Sequence, residues 1–156
     1  MIPTFRPATP GDIETALRLM AQLYARAGLD EDRARASCQD LLAHPEFGGL
    51  WLIQAGSETA GYLVITICYS LEFHGRFALL DELFVDAARR GQGIGAQALA
   101  FADEFCRARG LKAIRLEVAW ENARARELYT RSGYQVDERN LMTRWLAPAP
   151  AIIKEK

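Results

Sequence analysis

The chain has 156 residues, 50% of them hydrophobic, which suits one domain with a real core and is short for two. Its 19 basic side chains against 20 acidic ones give a formal net charge of -1. That balance argues against nucleic acid or an anionic membrane as a partner, since both favour a basic surface, and leaves small molecules or proteins.

In chain order, residues 2–8 read as a short edge strand, because Pro3 and Pro7 have no N–H to donate and the strand cannot be laddered on both sides. Asp12 then opens an amphipathic helix with Ile13, Leu17, Met20, Leu23 and Tyr24 at helical spacing, closed by Gly28. A second helix starts near Asp30, with acidic residues in its first turn, and ends before Pro45. From Leu50 the period changes. The runs 50–53, 62–69 and 77–85 read as strands of an antiparallel meander, the first two joined by a turn between Ser57 and Gly61. After a glycine-rich turn, an apolar stripe through Ile94, Ala98, Phe101 and Phe105 predicts a helix ending at Gly110. A strand over 113–118 and a helix from Asn122 to Ser132 follow, then a closing strand pair at 134–136 and 141–145. The segment from Leu79 to Val118 is therefore a βαβ unit with a right-handed crossover, and the whole is a mixed sheet. Residues 1–146 are expected to form a single domain and 147–156 a C-terminal tail.

Cys38, Cys68 and Cys106 are odd in number, lack CxxC spacing and lie in apolar periodic segments, which predicts buried, reduced thiols and a cytoplasmic setting. No run approaches the roughly 18 apolar residues of a membrane span, and Met1 to Pro7 does not resemble a leader. His44 and His74 have no second ligand at metal spacing, so no metal is expected.

The turn Arg89-Arg90-Gly91-Gln92-Gly93-Ile94-Gly95 carries the chemistry. Glycines allow close backbone approach, and the free N–H groups and dipole at a helix start favour a phosphate or pyrophosphate. A Walker loop needs Lys then Ser or Thr, whereas this turn continues Ala96-Gln97. The GxGxxA spacing of Gly93, Gly95 and Ala98, with Glu117 about 20 residues on, fits a dinucleotide fingerprint in spacing alone. Residues 86–90 intervene between strand and turn, and the chain has no room for the two halves of a dinucleotide fold around it.

Arg90-x-x-Gly93-x-Gly95 after Leu83-Phe84-Val85 resembles the acyl-CoA pyrophosphate loop of the GNAT superfamily of N-acetyltransferases. A second block, Leu116-Glu117-Val118 followed by Asn122-x-x-Ala125-x-x-Leu128-Tyr129-x-x-x-Gly133-Tyr134, is similar to the second half of that family's core. The resemblance spans roughly residues 50–146. It implies an α+β, three-layer fold: a central mixed, twisted sheet of about 6–7 strands with helices on both faces.

The resemblance also implies roles. Backbone groups of Leu83, Phe84 and Val85 would bind the pantetheine arm of acetyl-CoA like an added strand. The amides of Arg90, Gly91, Gln92, Gly93, Ile94, Gly95 and Ala96 would cradle the pyrophosphate, and Asn122 is read both as a coenzyme contact and as a plain helix N-cap. Glu117 is the candidate base for an amine that attacks the thioester directly in a ternary complex, or else a strand-end carboxylate paired with Arg115 or Lys112. Tyr129 is the candidate acid for the departing thiolate.

Asp81 and Glu82 before Leu-Phe-Val resemble the acidic pair of diamine acetyltransferases, and Glu72 in the preceding hairpin could extend a negative pocket. Strand alternation places Asp81 with Leu83 and Val85 on one face and Glu82 with Leu80 and Phe84 on the other. The acceptor reading is a small cationic amine; the alternatives are a protein N-terminal or lysine acetyltransferase and a non-catalytic acyl-CoA-binding module. Similar proteins often dimerise, so a homodimer is possible.

Overall fold

The computed structural model describes residues 2–150. Its elements run β1 (Thr4–Pro7), α1 (Ile13–Leu23), α2 (Glu31–Ala43), β2 (Gly48–Ala55), β3 (Glu58–Ser70), β4 (Gly75–Val85), α3 (Ile94–Ala108), β5 (Ile114–Arg115) and α4 (Ala123–Arg131). The strands form one mixed sheet in the order β1-β2-β3-β4-β5, antiparallel except for the parallel pair β4 and β5. This is the expected α+β fold, with five strands among the described residues in place of the expected six or seven.

The sheet separates two cores. On one face, α3 packs Ile94, Ala98, Leu99, Ala102 and Cys106 against Trp51, Ile53, Leu63, Ile65, Ala78 and Leu80. Aromatic rings close this side: Phe5 stacks on Phe101 at 4.7 Å, and Trp51 meets Phe105 edge-on at 4.7 Å. On the other face, α1 and α2 bury Leu17, Met20, Tyr24 and Cys38 against Leu52, Tyr62, Val64 and Phe84. Ile13, Leu17 and Met20 of the α1 stripe and Ile94 and Ala98 of the α3 stripe are buried, since apolar residues three and four apart share a face, while Phe101 and Phe105 are half-buried and Leu23, at the end of α1, is exposed. The first helix ends at Leu23, and a turn carries the chain to Gly28.

Two expectations fail at the C-terminal side. β5 spans two residues instead of 113–118, since it meets β4 only at Ala78 and Leu79 and then diverges. The closing pair at 134–136 and 141–145 is not strand. A strand persists only against a neighbour, and beyond Arg115 there is no paired edge to extend. Val136, Leu141 and Met142 are exposed there, and the segment is tied down by ion pairs instead: Asp137 with Arg115 at 2.7 Å, and Arg139 with Glu72 at 2.8 Å. Of the predicted tail, residues 147–150 have no regular structure and 151–156 lie outside the described residues.

A third expectation, simple alternation along β4, is broken by a bulge. Val64 stands opposite Glu82 while Ile65 stands opposite Leu80, so Asp81 is an extra residue in the ladder. Leu80 therefore packs with α3, whereas Phe84, four residues on, packs with α1 and α2.

Candidate functional site

The bulge and the early end of β5 together open the sheet beside the second half of β4. Asp86 donates its N–H to the Ala60 carbonyl at 2.8 Å, toward β3. By alternation, the N–H and C=O groups of Leu83 and Val85 turn the other way, into the gap that β5 leaves. An extended, amide-containing chain laid there would complete the ladder. Arg90 already uses one lone pair of this edge: its Nε donates to the Val85 carbonyl at 2.9 Å, and its guanidinium lies 5.7 Å from the Phe84 ring centroid. A carbonyl has a second lone pair to offer. Arg89 is committed elsewhere, in an ion pair with Glu58.

The same edge leads into the glycine turn. Gly91 and Gly93 take φ values of 80° and 77°, which residues with a Cβ rarely adopt, and Gly93 is the N-cap of α3. The first amide with a backbone partner is that of Gln97, bonded to the Gly93 carbonyl at 3.1 Å; the N–H groups of residues 91–96 have no acceptor among the described residues. They form a cradle of donors at the positive end of a helix dipole, suited to a pyrophosphate. Gly95 keeps the second wall close: a Cβ there would come within 3.0 Å of Leu128 Cδ2 on α4. The donors present thus fit the diphosphate and peptide-like arm of coenzyme A.

From α4, Asn122 caps the helix by accepting the Ala125 N–H at 3.2 Å. Tyr129 packs against Tyr134, ring centroids 5.8 Å apart, and the Tyr134 N–H binds the Tyr129 carbonyl at 3.0 Å. Burial raises the Tyr129 pKa above its ordinary value, so the hydroxyl stays protonated at neutral pH. Glu117 is exposed beyond the end of β5 and makes no hydrogen bond or ion pair among the described residues; neither Arg115 nor Lys112 claims it.

On the α1 and α2 face, Glu82 is half-buried, and its carboxylate accepts hydrogen bonds from two tyrosines. Tyr62 donates to Oε2 at 2.7 Å and Tyr24 donates to Oε1. Burial first and the Glu82 charge second push both phenols up, and Asp81 also acts on Tyr24. The bulge breaks strict alternation between the two carboxylates, and it is Glu82 that the tyrosines hold. The Cys38 thiol on α2 is raised by burial and then by Glu82. Glu72 does not join this group. It sits in the turn at the opposite end of β4, roughly 23 Å away at strand spacing, and is held by both guanidinium nitrogens of Arg139. Tyr24 and Tyr62 escaped the sequence reading, where they counted as apolar stripe and strand. Their signal is a hydroxyl at a position patterned for burial, which needs a partner.

No helix among the described residues is long and apolar enough to cross a membrane, and none of their His, Cys, Asp and Glu side chains cluster as a metal site.

The chain is 28% identical over 150 residues to an uncharacterized N-acetyltransferase of Methanocaldococcus jannaschii, covering 92% of this chain and 64% of that protein. It spans less than two thirds of the length of the curated relatives it matches. An integron cassette protein from the mobile metagenome of Cole Harbour Salt Marsh superposes with a TM-score of 0.84 at 34% identity, over 94% of this chain and 93% of that one. The aminoglycoside N-acetyltransferase AAC(6')-Iy, solved with CoA, shares the fold at 18% identity, with a TM-score of 0.78 over 93% and 95% of the two chains. The model of the acetyltransferase (GNAT) family matches residues 14–134, from the helix beside the tyrosine pair, through the amide cradle, to Tyr134 behind Tyr129. The chain belongs to that family.

Proposed function

We propose that the protein is an N-acetyltransferase that moves the acetyl group of acetyl-CoA to a primary amine of a small cationic molecule. The observation that carries this reading is the run of unpartnered amides at residues 91–96, continuous with the open edge of β4 and backed by α4. Acetyl-CoA supplies the thioester carbonyl.

The residues divide the work by face. Leu83 and Val85 align the pantetheine amides, and the amides of residues 91–96 bind the diphosphate without a metal. Glu117, exposed and unengaged, takes a proton from the acceptor ammonium directly or through water, since an alkylamine of pKa about 10 is mostly protonated at neutral pH. Tyr129, kept protonated by burial, donates its hydroxyl proton to the departing sulfur. Asp81 and Glu82 supply negative charge on the acceptor side, which favours a polyamine-like cation over a neutral amine.

The test is release of free CoA thiol from acetyl-CoA with a panel of polyamines, aminoglycosides, amino acids and peptides. Polycationic amines are expected to turn over fastest. Preferential turnover of peptides would move the assignment to a protein acetyltransferase, and acetyl-CoA binding without thiol release from any amine would make the chain an acyl-CoA-binding module.

A further inference from the structure

We infer that Tyr24 and Tyr62 are positioning residues that hold Glu82 as a fixed anion, and that this clamp is what selects a polycationic acceptor over a monoamine. The inference rests on the acetyltransferase reading for the identity of the site, and on the geometry for the clamp.

Three chain segments meet at one carboxylate. Tyr24 is the C-cap of α1, Tyr62 lies in the middle of β3, and Glu82 follows the bulge of β4. Both tyrosines are buried, at 6% and 0% exposure, so their rings are fixed by packing, and each hydroxyl reaches a different oxygen of Glu82. One donor per oxygen defines the plane of the carboxylate. With each oxygen accepting from a hydroxyl whose ring is packed in place, the carboxylate is held in one orientation, which makes Glu82 a well-aimed ion-pair partner. Each oxygen keeps a further lone pair for a ligand, and Glu82 is only half-buried, so an ammonium can reach it. Glu117 has none of these restraints, which separates the two glutamates: one carries the proton and the other holds the substrate's charge.

Without the bulge at Asp81, Glu82 would face α3 and the coenzyme side. The same extra residue that opens the strand edge thus delivers the anion to the tyrosines.

The experiment compares binding of spermidine and hexylamine to the full chain by thermal shift and calorimetry, which requires no turnover. The wild type is expected to bind spermidine at least about tenfold tighter. Tyr62→Phe and Tyr24→Phe each weaken spermidine binding roughly 10- to 100-fold, the range for losing a hydrogen bond to a charged group, while hexylamine binding stays the same. Glu82→Gln, isosteric and safe if a phenylalanine variant folds poorly, removes the preference altogether. In turnover, the same variants raise the spermidine KM and leave the KM for acetyl-CoA unchanged. Equal binding of the two amines by the wild type overturns the inference. So does a loss of kcat shared by all acceptors at constant KM, which would make Glu82 a proton carrier. Preferential spermidine binding without acetyl transfer supports the clamp and removes the acetyltransferase reading instead.

Discussion

Tyr129 shows how a residue's role depends on its immediate support. Its carbonyl is bound by the Tyr134 N–H, and its ring is packed on the Tyr134 ring, so the end of α4 and the turn after it fix the phenol in place. A tyrosine so held can deliver a proton with little reorganisation, and phenylalanine would keep every packing contact while deleting that proton. Tyr129→Phe is expected to lower turnover roughly 100-fold with acetyl-CoA affinity unchanged, as general acid catalysis is worth that much. Turnover kinetics beside a coenzyme titration check this, and an unchanged kcat removes Tyr129 from the mechanism. The motif singled this residue out in the sequence. Tyr62 was not legible, because its partner is 20 residues away on another strand and only the β3 and β4 register brings them together.

At the scale of elements, the helices followed from sequence because a 3.6-residue period needs no long-range information, whereas the sheet's irregularities did not. The bulge at Asp81 depends on how β3 and β4 share a twist, and β5 diverges from β4 after Leu79; neither event leaves a local mark. Two junctions give measurable consequences. Asp12, at the start of α1, accepts from Arg6 of β1 at 2.7 and 2.9 Å and from the Thr9 N–H at 2.8 Å. Arg6 first and Thr9 second hold its carboxyl far below the usual range. A carboxyl depressed in the folded state stabilises fully above the unfolded value near 4 and loses that contribution as pH falls toward the folded one. Asp12→Asn should cost about 1 to 2 kcal/mol at neutral pH, a figure kept small by solvent around the pair, with the gap to wild type closing below about pH 4 in urea melts. Gly61 is the second junction. It stands opposite Val85, and a Cβ there would lie 2.1 Å from the Phe84 carbonyl, a backbone atom that can yield only if β3 and β4 part. Gly61→Ala is expected to destabilise the fold by about 3 kcal/mol and to raise the KM for acetyl-CoA, since Val85 lies on the edge proposed to hold the coenzyme. A urea midpoint within about 0.5 kcal/mol of wild type would contradict that packing.

Across the whole molecule, β4 acts as a partition. Leu83, Val85 and the amides of residues 91–96 belong to the side of α3 and α4, while Glu82 and its tyrosines belong to the side of α1 and α2. Tyr62 and the amides of residues 91–96 have no hydrogen-bond partner in common among the described residues, and perturbations without a shared partner usually combine additively. Gly93→Ala would force a Cβ into a left-handed conformation at φ 77°, displace the amide cradle and raise the KM for acetyl-CoA. Tyr62→Phe would loosen the carboxylate and raise the KM for a polycationic amine. The double variant should show both changes, each within about twofold of its single-variant value, because independent sites couple by only a few tenths of a kcal/mol. Coupling of about tenfold or more would mean that the bulge transmits strain from one face to the other, in which case acceptor choice and coenzyme binding could not be altered separately. Initial-rate measurements over a grid of both substrates, for wild type, the two single variants and the double, decide between a partition and a lever.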